Sequence, residues 1–284
     1  MKTVEDIEIL FPSSLEEALA GQAHEKTRGR PLAGGTDLMV QWASGTAPIP
    51  ERAVSLGGLN ELKGIRETAR GIEIGALTTH AELRSSPLIR EKLPALAAAA
   101  ATIGGRQIQN RGTIAGNVAN ASPAGDLAPT LLITDGSVTI ASAAGRREVP
   151  LTRLYLDYRK LDLRPDELIV SFALPPLPAG ARESFRKLGP RAAQAISKVM
   201  AAARWRVEKG AVASLALALG SVAPVPVRLF ELEKWIVGRR LDAALLDEVE
   251  RRASAEVRPI DDIRSTAAYR KWVAGRLARA LLEQ

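Results

Sequence analysis

Apolar residues along this chain change period repeatedly, and the changes predict its elements. Residues 7–11 alternate as a short strand. Ser14 with Glu17 forms a capping-box pattern for a helix through Ala20, with Leu15, Ala18 and Leu19 on one face. Residues 38–43 are helix-like. Residues 63–68 and 71–75 read as paired strands around a turn at Ala69, Arg70 and Gly71. Thr79 with Glu82 repeats the cap signature for a short helix, and Pro94 opens an Ala-rich helix to about Ile103. Residues 127–134 form a short apolar helix, 138–141 and 147–149 are strands around Ala144-Gly145, and 168–174 is a further strand.

Pro175, Pro176 and Pro178 then break the chain and set its best domain boundary. Beyond them, 195–207 and 211–221 are long enough for a hairpin turning near Lys209-Gly210. Helices are predicted over roughly 227–237, 242–255 and 265–282. The last carries Tyr269, Trp272, Val273, Leu277 and Leu281 at helical spacing, which places its aromatics in the core. The units expected are 1–55, 56–177 and 178–284.

Two stretches do not fit the apolar pattern. Residues 102–126, TIGGRQIQNRGTIAGNVANASPAGD, have no long apolar run and combine five glycines with Asn110, Asn117, Asn120 and Asp126. Small residues beside hydrogen-bonding ones suit a long loop that wraps a polar ligand, and long loops without structure of their own are commonly functional. The second stretch, Ala33-Gly34-Gly35-Thr36-Asp37, lies between a strand and a helix start. Backbone N–H groups there attract phosphate, and Gly34 and Gly35 remove side chains that would keep it away. The stretch lacks both the P-loop Lys-Ser/Thr and the G-x-G-x-x-G fingerprint. A tight turn with Asp37 as N-cap is the other reading.

Composition narrows the chemistry. The 284 residues are 46% hydrophobic and 25% charged, as in ordinary soluble domains. No apolar run reaches membrane-spanning length, and Glu5, Asp6 and Glu8 interrupt the N-terminus, so a cytoplasmic protein is expected. The absence of cysteine excludes disulfides, zinc–cysteine sites and iron–sulfur ligation by this chain. His24 and His80, the only imidazoles, read as solvated or cap-region side chains. The net charge of +7 is spread over isolated pairs such as Arg146-Arg147 and Arg251-Arg252 without aromatic interleaving. That pattern favours a solvated face or an acidic protein partner over nucleic acid.

The two small-residue stretches, in their order along the chain, resemble those of the flavin-binding subunit of the molybdenum hydroxylases. That family includes the medium subunit of carbon monoxide dehydrogenase and the FAD domain of xanthine dehydrogenase. The resemblance runs through Thr113-Ile114-Ala115-Gly116-Asn117, on through Asp126, and through Asp166-Glu167-Leu168-Ile169. It continues through the segment from Phe185 to Ser197, Gly220-Ser221-Val222-Ala223-Pro224, and Ser265-Thr266-Ala267-Ala268-Tyr269-Arg270. It implies an α+β chain: a two-subdomain PCMH-type FAD-binding fold followed by a C-terminal α+β domain with an antiparallel sheet and helices.

It also implies a set of FAD contacts. Pro31, Leu32, Ala33, Gly34, Gly35, Thr36, Asp37 and Leu38 match the first pyrophosphate loop. Thr113, Ile114, Ala115, Gly116 and Asn117 match the second. Asp126 matches an acidic contact, Ile103 an apolar position near the flavin, and Ile169 and Lys187 later flavin contacts. Ala115 departs from the family, which usually has Gly there. The FAD is expected to be non-covalent, because neither His lies in an anchoring motif. No catalytic side chain is assigned. The resemblance implies two partners, a large molybdopterin-binding subunit and a small subunit with [2Fe-2S] clusters. Electrons would pass from those clusters through FAD to an acceptor such as NAD or oxygen. Two other readings remain: a nucleotide-binding or assembly module that has lost FAD, for which Ala115 speaks, and a stand-alone FAD oxidoreductase.

Overall fold

The computed structural model describes residues 3–26, 28–191 and 194–283, so Ala192 and Ala193 of the Phe185–Ser197 resemblance lie outside the described residues. The chain is α+β. The strand Arg52–Ser55 lies between Glu8–Leu10 and Arg30–Leu32 in a small parallel sheet. Parallel neighbours need crossovers, and the helices Leu15–Ala23 and Leu38–Ala43 lie in the two connections. At the first helix the expected capping box is displaced by one residue. Ser14 Oγ accepts from the Glu17 amide, but the Glu17 carboxylate turns to the amide and hydroxyl of Ser13.

The second sheet has five antiparallel strands. Leu168–Leu174 is its centre, flanked by Gly71–Gly75 on one side and Ser137–Ser142 on the other. Phe172, fully buried, faces Ile74 and Val138 across the two ladders. The strand before the proline break therefore closes the sheet started a hundred residues earlier, and Pro175 ends it.

The third sheet is antiparallel in the order Ala181–Leu188, Val199–Glu208, Ala211–Gly220, Val227–Arg228. The predicted hairpin is present, although it starts at Val199. The first strand was not predicted, and its adjacent charges, Arg182-Glu183 and Arg186-Lys187, explain why, because they interrupt any apolar alternation. Where a helix was expected from 227, a two-residue strand pairs with Ala218 and Leu219, and the helix begins at Phe230. Both faces of this sheet are covered. Ala201, Ala203, Trp205, Leu215, Leu217 and Leu219 join the core under the helices Phe230–Ile236, Ala243–Glu256 and Ala267–Leu282. Ala202, Ala216 and Ala218 on the other face join the core of the preceding residues, where only small side chains leave room.

A buried ion pair crosses the same seam. Arg204 Nη2 lies 2.9 Å from Glu183 Oε1, and Glu183 Oε2 accepts from the amide of Ala95 at the start of the Pro94–Thr102 helix. Burial raises the Glu183 carboxyl, and Arg204 opposes the rise.

The last helix corrects one expectation. Tyr269 is 38% exposed and Trp272 57% exposed, and their rings meet tilted at 48° with centroids 5.8 Å apart on the outer face. The buried stripe is instead Ala274, Gly275 and Ala278 with Val273 and Leu281. A side chain on Gly275 would fall 2.4 Å from the Glu250 carbonyl of the preceding helix, so the two helices touch through small residues and the aromatics turn outward. Among the described residues no helix is long and apolar enough to cross a membrane.

Candidate functional site

The expected structureless loop at 102–126 is in fact two short helices, Arg106–Arg111 and Ile114–Ala119, linked by tight turns. Gly104, at φ 51°, makes the first turn. Gln109 then folds back and donates to the carbonyls of Ala101 and Ile103, both at 3.1 Å. Thr113 caps the second helix by accepting from the Gly116 amide at 3.1 Å. Neither helix has room for an amphipathic repeat, which is why periodicity missed them.

This segment is fastened to residues 76–80. Ile114 N–H donates to Thr78 O, Ala115 N–H to Ala76 O, Asn117 N–H to Thr113 O, and His80 N–H to Gly112 O. The amides of 114–117 are thus engaged within the protein. The first loop differs. Among the described residues none accepts a hydrogen bond from the amide of Gly34, Gly35 or Thr36. Asp37 holds the N-cap position of Leu38–Ala43 without a side-chain cap bond. Its carboxyl is raised by burial, against the pull of Arg159.

The two stretches meet backbone to backbone. A Cβ on Gly34 would lie 1.8 Å from the carbonyl oxygen of Arg111, so this glycine serves loop-to-loop contact. A Cβ on Gly112 would lie 2.9 Å from the His80 ring. His80 corrects a second expectation. It follows the Thr79 cap, but it is 3% exposed, its Nδ1 has no partner among the described residues, and burial lowers its pKa to about 4.

Around this junction lies a cavity of about 1260 Å³, walled by the first loop, the 102–126 segment, the Leu168–Leu174 strand and the third sheet's loops. Of the residues predicted for the site, Pro31, Ala33, Gly34, Gly35, Thr36, Asp37, Leu38, Ile103, Thr113, Ala115, Gly116, Asn117, Asp126, Ile169 and Lys187 line it. Leu32 and Ile114 do not. Leu32 pairs with Ser55 in the parallel sheet, and Ile114 is fully buried in the core.

Asp126 is held from the third part of the chain. Lys187 Nζ reaches its Oδ2 at 2.5 Å and Ser197 Oγ its Oδ1 at 2.7 Å, while Lys187 also donates to Thr102 O. Burial raises the Asp126 carboxyl, and Lys187 and Ser197 oppose the rise. Ser221 makes a second tie. It sits at φ 62°, donates its amide to Pro123 O, and accepts from Arg270 Nη1. A non-glycine in this region persists only where its surroundings over-determine it. Arg270 also holds Asp262 at 2.6 Å. Burial alone would raise the Asp262 carboxyl, but donors from Arg264, Arg270 and Ser265 bring it to about 2.

The sequence offered no signal for the ribbon Tyr155–Asp157 and Lys160–Leu161, which is too short to show a pattern. Its turn carries Arg159 to Asn120 Oδ1 at 3.2 Å, and Gln41 reaches the same oxygen, so one asparagine links three segments at the cavity rim. The Asp166–Ile169 motif owes its polar member to structure. Glu167 is buried against Arg147, whose hydrogen bonds hold the carboxyl at about 2.

Comparison with known proteins agrees along the whole chain. Residues 5–177 match the FAD binding domain in molybdopterin dehydrogenase, and residues 184–284 match the CO dehydrogenase flavoprotein C-terminal domain. The glyceraldehyde dehydrogenase medium chain of Sulfolobus acidocaldarius is 30% identical, covering 92% of this chain and 91% of its own length. The xanthine dehydrogenase FAD-binding subunit of Escherichia coli O157:H7 is 31% identical, covering 89% and 87%. The solved carbon monoxide dehydrogenase of Hydrogenophaga pseudoflava that lacks the Mo-pyranopterin moiety superposes with a TM-score of 0.93 at 30% identity, covering 98% of this chain and 96% of the other. The chain therefore belongs to the FAD-binding flavoprotein subunits of the molybdenum hydroxylases, the family of the carbon monoxide dehydrogenase medium chain and the xanthine dehydrogenase FAD-binding subunit.

Proposed function

We propose that this chain is the electron-relay subunit of a multi-subunit molybdenum-dependent hydroxylase, with FAD held non-covalently in the cavity between units 1–55, 56–177 and 178–284. The observation that carries the reading is the first loop. Three successive residues that line a cavity of about 1260 Å³, Gly34, Gly35 and Thr36, have amides with no acceptor among the described residues. Neutral N–H donors in a concave loop suit a pyrophosphate. The volume exceeds the roughly 300–1,000 Å³ of ordinary small-molecule sites, as a dinucleotide requires.

Each group in this chain has a binding role. The Gly34–Thr36 amides hold the phosphates, Ile103 and Ile169 supply apolar wall, and the Asp126–Lys187–Ser197 link keeps the third unit closed over the site. Bound FAD supplies the redox chemistry, exchanging electrons between one-electron clusters and a two-electron acceptor. No side chain of this chain is asked to act on a substrate. The clusters and the molybdopterin belong to partner subunits, since the chain has no cysteine and its described residues hold no group of three or more His, Asp or Glu that could bind a metal. The acceptor is a species such as NAD or oxygen.

The test is a visible absorption spectrum of the chain purified with its co-expressed neighbours. A flavin band that acid precipitation releases into the supernatant is expected. A complex that takes up no flavin even with added FAD overturns the proposal. Substrate turnover by the isolated chain would instead favour a stand-alone enzyme.

A further inference from the structure

His80 has no part in the family-derived set of contacts, yet it lies directly under the junction of the two loops. Gly34 rests on the Arg111 carbonyl, the next residue Gly112 rests on the His80 ring, and the His80 amide donates to the Gly112 carbonyl. The capping box of Thr79 and Glu82 fixes the backbone at this point, so the ring has little freedom to withdraw. The ring lines the cavity although it is nearly fully buried.

Its two nitrogens are unequal. Nδ1 is buried without a partner among the described residues, so a proton there would be an N–H with no acceptor. An orphaned N–H is rarer in folded proteins than an orphaned lone pair, which puts the proton of the neutral ring on Nε2. Nε2 is on the edge beside Gly112, 3.0 Å from where a Cβ of that residue would lie, and no described residue accepts from it. A neutral donor therefore sits beside the loop junction at Gly112, near a loop whose own amides have no acceptor among the described residues.

We propose that His80 is a cofactor-contacting residue, its Nε2–H donating to a pyrophosphate oxygen of the bound dinucleotide and completing the neutral donor set begun by Gly34, Gly35 and Thr36. This rests on the reading that the cavity holds FAD. The glycine at 112 then has a reason beyond turning the chain, because any side chain there would push the ring away from the junction.

The test compares His80→Gln, which keeps an N–H at the reach of Nε2, with His80→Phe and His80→Leu, which keep bulk but no donor. FAD affinity is measured on the assembled complex by flavin fluorescence, ADP is titrated as a competitor that carries the pyrophosphate, and riboflavin as a ligand that does not. The apo melting temperature is recorded for each variant. Loss of about tenfold or more for FAD and ADP in Phe and Leu, with Gln within about threefold and riboflavin unchanged, is expected for one hydrogen bond to an anion. FAD and ADP affinities unchanged in Phe and Leu overturn the inference and leave the FAD reading intact. So does a Gln variant that loses affinity as they do, because the ring then acts by packing. A wild-type complex that takes up no FAD overturns the underlying reading itself.

Discussion

The two glycine-rich stretches look alike in composition and are opposite in their hydrogen bonding. In the second, the amides of Ile114, Ala115, Gly116 and Asn117 are all engaged by Thr78, Ala76 and Thr113. In the first, those of Gly34, Gly35 and Thr36, residues that line the cavity, have no acceptor among the described residues. One stretch commits its amides to the protein, and the other leaves three of them without an acceptor among the described residues. Glycine content signals that a backbone comes close to something, and only the partner shows whether that something is protein or ligand. Here Gly34 meets Arg111 and Gly112 meets His80, so both glycines serve contacts within the protein.

The largest effect is expected at Gly34. Gly34→Ala puts a methyl 1.8 Å from a backbone oxygen that cannot rotate away. We expect a loss on the order of 3 kcal/mol of stability and no retained flavin, read by thermal melting and flavin content. A variant that melts like wild type would mean the loops do not touch.

Asp126→Asn comes next, because it leaves Lys187 buried without its charge partner. A destabilisation of about 3 kcal/mol is expected in urea unfolding, and restoring neutrality with Lys187→Met in the same chain should recover part of it. If the single and double variants unfold alike, the link contributes nothing.

Lowering pH tests the anchoring of the cavity wall. The Glu167 carboxyl is held at about 2, below its ordinary value of 4.5, by Arg147. Its contribution is complete above pH 4.5 and is lost as pH falls toward 2, because the unfolded chain takes up the proton first. A loss on the order of 2 kcal/mol over that window is expected, and Arg147→Met should flatten that part of the pH profile. An unchanged slope in the variant would assign the acid sensitivity elsewhere.

The smallest effect is expected at Ala115→Gly. The Ala115 amide is already bound to Ala76 O, so restoring the family's usual glycine should change FAD affinity by less than about threefold while costing roughly 0.5–1 kcal/mol in the short helix. A large gain in affinity would show that the second loop, too, presents its backbone to the cofactor.

What the sequence offered for the site came from two small-residue stretches and from the family resemblance, which supplied Asp126, Ile103, Ile169 and Lys187. The first loop, Thr113–Asn117, Asp126, Ile169 and Lys187 reach one cavity apart from Leu32 and Ile114, which belong to strand and core. His80 was passed over because a capped helix start accounts for a histidine locally, and only Gly112 and the loops above it show that the ring is buried. Arg159 was invisible because the strands of its ribbon, Tyr155–Asp157 and Lys160–Leu161, are too short to show a pattern. The strand Ala181–Leu188 was missed because it is the charge-rich edge strand of its sheet, paired on one side only.

By itself the sequence determined the strands with clean alternation, most helix starts with Thr, Ser or Pro caps, and the absence of any cysteine-bound cluster. These depend on local preferences and composition, which are properties of short windows. Tertiary structure alone decided that 102–126 folds into two helices, that Tyr269 and Trp272 face outward, that Asp126 is clasped by Lys187 and Ser197, and which glycine-rich stretch leaves amides without an acceptor among the described residues. Each of these depends on the position of a partner far along the chain, and no local window contains that position.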